Sequence, residues 1–449
     1  MNHGKKLELT GRIVFPGEPQ YDEARQEFNT FFNKFPLVIV FAQSTQDVIN
    51  AVRWARFWKV PIRMRSGRHN YEGLSVVDDG IVIDVSEMHQ VEIDHKHGTV
   101  TIQTGLRDLA LYEVLGSEGL VVPGGLCPTT GIAGFTLGGG QSSLARPYGL
   151  IIDNLLELEM VDANGRVLHA NANQHADLFW ASRGGGGGNF GICTYFRCRT
   201  HRIDTVAYAN IEWDLRDLEP VLRTWQDYTT PNASELLTPL LTIASGLESL
   251  LLMQGVFLGS AKELRRLLRP LLRAGSPQKV TIEEMPWLEA VARIAATQPD
   301  FPEPFKSVGP FVNELLPDKA IATIRRFIDK PPTSSVSVFF HGLGGAVAKV
   351  PSEATAYFYR QALSNMSIFA TWSTPDGADP GIRWVEKFRQ AMLPFTQGVY
   401  VNTPDLSIKN WPKAYYGSNF NRLTQVKAKY DPENVFNFPQ SIPPANKNK

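Results

Sequence analysis

From about residue 36 to 203 the apolar positions switch repeatedly between two periods. "PLVIVFA" (36–42) is an unbroken apolar run of strand length, and "VPIRMRS" (60–66) reads as a second strand. Between them "STQDVINAVRWARFWK" (44–59) places its apolar residues at helical spacing, with Ser44 or Thr45 suited to cap the first turn. After this β-α-β opening come strands in "GIVIDVSEM" (80–88) and "GTVTIQTG" (98–105) and a helix in "RDLALYEVLGSEG" (107–119). "LLELEMVDANGRVLHA" (155–170) reads as a hairpin turned at Asn164-Gly165.

Past residue 204 the texture changes. Long amphipathic helices, "SAKELRRLLRPLLRAG" (260–275) and "DKAIATIRRFIDK" (318–330), alternate with strands in "LLLMQGVFLG" (250–259) and "SSVSVFFHG" (334–342). The tail carries one helix in "RLTQVKAKYDPENVF" (422–436), stopped at Asp431-Pro432. The chain therefore reads as α+β in two parts, a strand-rich first part and a sheet covered by helices. At 449 residues it is long enough for two large domains.

Composition narrows the function classes. Forty-five basic residues balance 45 acidic ones, which leaves no net field to hold a nucleic acid or an anionic membrane. No apolar run has signal-peptide or membrane-spanning length, so a soluble cytoplasmic protein is expected. Three cysteines, Cys127, Cys193 and Cys198, give neither a disulfide framework nor a zinc site. Cys193 and Cys198 read as buried small hydrophobes. His89, His95 and His97 span a hairpin and read as turn residues, so no metal is expected. Trp213, Trp225, Trp287, Trp372 and Trp384 read as core in preference to sugar-stacking platforms.

Two glycine tracts carry the chemistry. "VVPGGLCPTTGIAGFTLGGG" (121–140) holds seven glycines around Cys127, and "RGGGGGNFG" (183–191) holds six more. Glycine at that density is kept where backbone turns at positive φ or closely approaches another group. Backbone N–H groups bare of side chains can cradle phosphates, so a pyrophosphate-bearing cofactor is the natural occupant. Neither tract is a P-loop, and the second lacks the acidic residue of a dinucleotide fingerprint.

"RSGRHNYEGLS" (65–75), "PGGLCPTTGIAG" (123–134), "RPYGLIIDN" (146–154), "LFWASRGGGGGNFGI" (178–192) and the tail from 415 to 444 together resemble the berberine-bridge-enzyme-like branch of the FAD-linked oxidases. The resemblance implies a two-lobed FAD-binding domain over residues 1–203 (core 36–203), a substrate domain over 204–402 whose antiparallel sheet roofs the flavin, and a segment 403–449 returning to the first domain. It implies FAD bonded covalently to His69 and Cys127. The matching loops make Arg65, Ser66, Gly67, Arg68, Asn70, Gly124, Gly125, Thr129, Thr130, Gly131, Gly134, Gly138, Gly139, Gly188, Asn189, Gly191 and Ile192 cofactor-binding candidates, with Tyr400 and Asn402 beside them. Arg68 departs from the glycine many relatives carry at that place.

On the substrate side the family's usual base is the second tyrosine of Y-x-N-Y. Here "YVNTPDL" (400–406) keeps Tyr400 and Asn402 but has Thr403 at that place, and threonine cannot serve as the base. Tyr400, Tyr148, Tyr71 and His341 are the catalytic candidates that remain. Thr130 occupies the position where relatives carry valine or leucine, the smaller side chain admitting dioxygen. The expectation is an oxidase that takes hydride from an alcohol, a sugar or oligosaccharide first and a secondary metabolite second, with O2 as acceptor and hydrogen peroxide as product. Two other readings stand beside it, a dehydrogenase with an organic acceptor and a structural flavoprotein of a shell such as a spore coat.

Overall fold

The structure, a computed structural model, describes residues 8–446 apart from 248, 299, 300 and 334. Its first sheet sets Arg12–Val14, Val38–Phe41, Ile81–Asp84 and Ile62–Arg65 side by side in that order, the last three parallel. The helix Thr45–Trp58 crosses over this sheet. Ser44 opens it with a reciprocal cap to Asp47, and Val48, Ala51, Val52 and Ala55 bury its apolar face.

A second, antiparallel sheet runs Val91–Asp94, Thr99–Gln103, Ile192–Arg199, Leu155–Val161, Val167–Asn171. Cys193 and Cys198 are buried on its central strand, and His97 pairs with Asp94 in an exposed turn. The hairpin expected at Asn164-Gly165 forms, but its loop is longer than two residues. Asp162 accepts from the amides of Asn164 and Arg166, which closes a five-residue turn with Gly165 at φ +67°.

The middle of the chain builds a nine-stranded antiparallel sheet among the described residues. Leu237–Gly246, Ser335–Gly342 and Ser364–Thr371 lie at its centre. Alternation along them sorts the side chains by face. Val336, Val338, Phe340, Met366, Ile368 and Ala370 join the core under the helices Leu218–Trp225, Asp318–Ile328 and Ala378–Met392. The other face is left with Ser335, Ser337, Phe339, His341, Asn365, Ser367, Phe369 and Thr371. The strand expected at 334–342 is thus seen from Ser335, and Ser334 lies outside the described residues. The helix expected over 260–275 divides into Ala261–Leu267 and Arg269–Leu272, because Pro270 removes an amide and cannot continue the first segment. Four of these five tryptophans, Trp213, Trp225, Trp287 and Trp384, are buried and do not line the cavity described next. Trp372 is buried beside it.

Arg146 joins the two parts. It is wholly buried, and its guanidinium donates to the carbonyls of Thr229, Ala233, Ser234 and Leu343. The tail helix Phe420–Tyr430 seats itself in the same manner. Lys427 Nζ, also buried, donates to Asn189 O at 2.6 Å, Asp431 Oδ2 at 2.8 Å and Phe436 O at 2.7 Å. Replacing Arg146 by methionine strands several buried carbonyls, each worth about 1–3 kcal/mol when unpaired. Urea unfolding of Arg146→Met is expected to show a loss of roughly 3–5 kcal/mol. A change below about 1 kcal/mol would contradict the junction described.

Candidate active site

A large cavity of about 990 Å³ lies between the loops of the first part and the open face of the nine-stranded sheet. Its size is at the upper end for sites that enclose small molecules, about 300–1,000 Å³. Three chain segments make its floor and walls: residues 64–71, 125–137 and 186–192.

The first segment leaves the parallel strand Ile62–Arg65. Arg65, expected as a cofactor ligand, spends its guanidinium elsewhere. It is bonded to Asp84 (2.6 Å) and to the carbonyl of Ala24, with Glu27 at 3.4 Å, all buried. Its role is to hold the loop down. Arg68 takes φ +66°, a left-handed conformation that explains why glycine suits the position. Its guanidinium lies over Phe41 and donates to Glu23 O. His69 stacks on Phe28 with ring centres 3.9 Å apart, and its Nε2 lies 3.0 Å from Thr129 Oγ1. Burial, aided by the positive charge of Arg107, lowers its pKa to about 3, so the imidazole is neutral at neutral pH. Asn70 Oδ1 accepts from the amides of Glu72 and Leu74 and fixes the following turn.

The second segment meets the first backbone to backbone. A Cβ on Gly67 would overlap Gly131 N, and a Cβ on Gly131 would overlap Gly67 N and Ser66 Oγ. Only glycine at both places lets the His69 loop and the Cys127 loop touch. Cys127 is half-buried in the cavity wall with Thr130 and Gly134. Gly124 and Gly125 also have neighbours on the side away from the cavity. Their missing side chains make room for Asp108 and Tyr112 behind the loop, and only Gly125 reaches the cavity. Gly138 leaves space for Asn402, and Gly139 for Tyr357; neither lines the cavity. Thr129 acts through His69 and is likewise not in the lining.

The third segment contributes Gly188, Asn189, Gly191 and Ile192 to the far end. Gly184, Gly186 and Gly188 all have positive φ, which accounts for the run of glycines. Asn189 is locked by its own side chain, donating to Gly185 O and accepting from the amide of Ile442 in the tail.

Of the four catalytic candidates the cavity gathers three. Tyr400 is buried in its wall; its hydroxyl accepts from the Gly140 amide (2.9 Å) and from Asn402 Nδ2 (3.0 Å). Burial pushes its pKa up to about 12 despite those donors. Tyr71 stands edge-on to Phe305 and Phe369, and burial raises its pKa as well. His341 faces the cavity from the central strand, opposite Asn365, with Nε2 2.9 Å from Ser142 O. A carbonyl only accepts, so Nε2 carries the hydrogen and Nδ1 holds a lone pair. Burial lowers its pKa to about 4. Tyr148 stands apart from these three. It stacks on His201 with ring centres 4.0 Å apart, its hydroxyl turned to Arg202 O, and it lies outside the cavity. The strand break after Arg199 brings His201 under it, a placement that the motif alone does not contain.

The comparisons with known proteins agree with this architecture. A family model described as an FAD binding domain matches residues 36–171, and one described as berberine and berberine like matches residues 399–443. An FAD-linked oxidoreductase of Bacillus subtilis, YvdP, is 44% identical over 446 residues, which is 98% of this chain and 99% of that one. The chain belongs to the berberine-bridge-enzyme-like FAD-linked oxidoreductases. Among solved members of this fold, Physcomitrella patens BBE-like 1 superposes with a TM-score of 0.90 at 30% identity, covering 97% of each chain. Chitooligosaccharide oxidase gives 0.87 at 26%, covering 97% and 98%.

The residues fit FAD. Gly134 and Gly187 line the cavity from two different loops, and a Cβ on Gly134 would meet nothing within 4 Å. Bare backbone of this kind would let a pyrophosphate approach closely. In this berberine-bridge-like site the sequence motifs missed the roof, Thr242, Ser337, Phe339, Asn365, Ser367 and Phe369 among it. The period-2 pattern of "SVSVFFHG" carries that signal, polar on one face and apolar on the other.

Because Gly67 and Gly131 have no room for a side chain, Gly67→Ala is expected to give folded protein that has lost most of its flavin. The ratio of absorbance near 450 nm to that at 280 nm should fall at least fivefold. Retention of the full ratio would show that the two loops need not touch.

Proposed function

We propose that the protein is an FAD-dependent oxidase of hydroxylated, uncharged substrates, a sugar or oligosaccharide first, with the flavin tethered at His69 and Cys127. Bound FAD supplies the acceptor for two electrons from a C–H bond beside a hydroxyl and passes them on, here to O2. The observation that carries the reading is the roof. Across the three central strands Thr242, Ser335, Ser337, His341, Asn365, Ser367 and Thr371 face the cavity together with Phe339 and Phe369, and none of them is a charged residue. Hydroxyl and amide groups interleaved with aromatic faces suit a polyol, whereas an ionic substrate would find no counter-charge there. Chitooligosaccharide oxidase, with the same fold, supports that substrate class. Thr130 in the wall is close to valine in volume and favours access of dioxygen.

The proton of the reacting hydroxyl goes to His341. Tyr400 and Tyr71 are phenols with raised pKa values and are protonated at neutral pH. His341 is neutral there, with Nε2–H fixed on Ser142 O and Nδ1 unprotonated. It stands near the vacant tyrosine place: Asn365, its cross-strand partner, donates to Gly309 O, and a Cβ on Gly309 would overlap Thr403 Oγ1. Ser142 O acts as the positioning group, setting the tautomer.

Four outcomes test this reading. Acid-precipitated yellow protein is expected to keep its colour, and peptide masses to carry the flavin on His69 and Cys127; colourless polypeptide would overturn both tethers. Photoreduced protein should reoxidise within seconds in air, where a dehydrogenase would stay bleached. With a sugar substrate found by anaerobic bleaching, kcat should fall only as pH drops towards about 4, the value for His341. His341→Asn should lower kcat about 10²–10⁴-fold. Activity that climbs steadily into the alkaline range would instead mark a tyrosinate base.

A further inference from the structure

Asp108 begins the helix Asp108–Gly116, directly behind the Cys127 loop. The backbone of this helix start grips the loop. The Asp108 amide donates to Thr130 O at 3.0 Å, the Leu109 amide to Pro128 O at 3.1 Å, and Tyr112 Oη to Gly125 O at 3.0 Å. The carboxyl lies between these bonds. It is 1% exposed, neither oxygen makes a well-formed hydrogen bond, and the Gly125 amide is the donor beside it, too weak to offset burial. Its oxygens abut the two glycines: a Cβ on Gly124 would come within 2.9 Å of Oδ1, and one on Gly125 would overlap Oδ2. An ionised carboxylate in this place would have no compensating charge. Tyr112, a phenol on the same helix, is the titratable group beside it. The groups facing it from the glycine tract and from the helix Ile132–Leu137 are Gly124, Gly125 and Phe135, all uncharged.

We propose that Asp108 is a proton-dependent positioning residue: its uncharged carboxyl seats Gly124 and Gly125 and holds the Cys127–Thr130 loop at the cavity wall, and loss of its proton loosens that loop. Burial raises this carboxyl to about 7. The sign follows. The folded state binds the proton more tightly than the unfolded chain, so the stabilisation is complete below the ordinary aspartate range and is lost as pH rises through about 7. The grip on the wall that carries Cys127 is therefore firm in mild acid and relaxed in mild alkali. This inference concerns the loop and does not need the sulfur to be bonded to flavin.

Hydrogen exchange of the holoprotein, read by mass spectrometry on peptides covering 124–131 and corrected for the intrinsic pH dependence of exchange, tests it. Protection of these amides should fall at least fivefold between pH 6 and pH 8.5. Peptides over 183–191, in the other glycine tract, should change less than twofold. Asp108→Asn, which is neutral at every pH, should keep the 124–131 protection within twofold across the range and exceed the native protein at pH 8.5. If Asp108→Asn does not fold, Asp108→Ser, smaller and also neutral, takes its place. Unchanged protection in the native protein, or the same pH dependence in the neutral variant, would overturn the proposal. If Cys127 peptides carry no flavin while 124–131 protection follows this course, the tether is wrong and the role of Asp108 stands.

Discussion

The site depends on one close contact. Gly67 and Gly131 bring two loops together with no side chain between them, and every other feature of the floor follows from that approach. His69 lies two residues after Gly67 and Cys127 four before Gly131, so the contact fixes an imidazole and a thiol at one cavity wall. Thr129 completes the junction by reaching His69 Nε2. A methyl group at either glycine would wedge the loops apart, and misplacement by even an ångström is large against the tolerances of a reacting centre.

Three clusters of buried charge hold the segments around that contact. Arg65 sits between Glu27 and Asp84 and pins the first loop to its sheet. Lys306, on the sheet edge, lies between Glu72 of that loop and Asp405 of the segment after Thr403, with Arg389 at 3.7 Å from the same Asp405. Lys427 ties the tail to Asn189 in the second glycine tract. Buried pairs add little net stability, because desolvation offsets their attraction, but breaking one leaves an uncompensated charge. Their value here is geometric: each joins segments distant in sequence, and each binds a cavity-lining loop to a rigid element.

The sequence made much of this legible and left a definable remainder. Period and capping located the first sheet, its helix and the glycine loops, since those signals are local. Pro270 inside an amphipathic pattern warned of a break that periodicity overrode. The purpose of individual glycines was not legible. Gly124, Gly125, Gly138 and Gly139 stand in the motif with Gly67 and Gly131, and the structure shows that they also make room for Asp108, Tyr112, Asn402 and Tyr357. A glycine reports that something is close; what that is depends on residues as far along the chain as Asn402 is from Gly138. The place of Tyr148 was not legible for the same reason, since His201 had to be known to lie beneath it. The roof was legible as a strand and its direction was not, because alternation gives two faces without saying which one meets the cavity.

That direction decides the chemistry. Along Ser335–Gly342 Val336, Val338 and Phe340 are taken up by the core under the helices, so the odd positions from Ser335 to His341 must face the other way. A one-residue slip would send Phe340 into the cavity and His341 into an apolar core where its imidazole would find no partner. The pairing of His341 with both Leu240 and Asn365 blocks such a slip from either side. Thr403 stands where the resemblance places a tyrosine, and on the proposed reading the register of this strand supplies an imidazole nitrogen to the same cavity in place of that phenol oxygen.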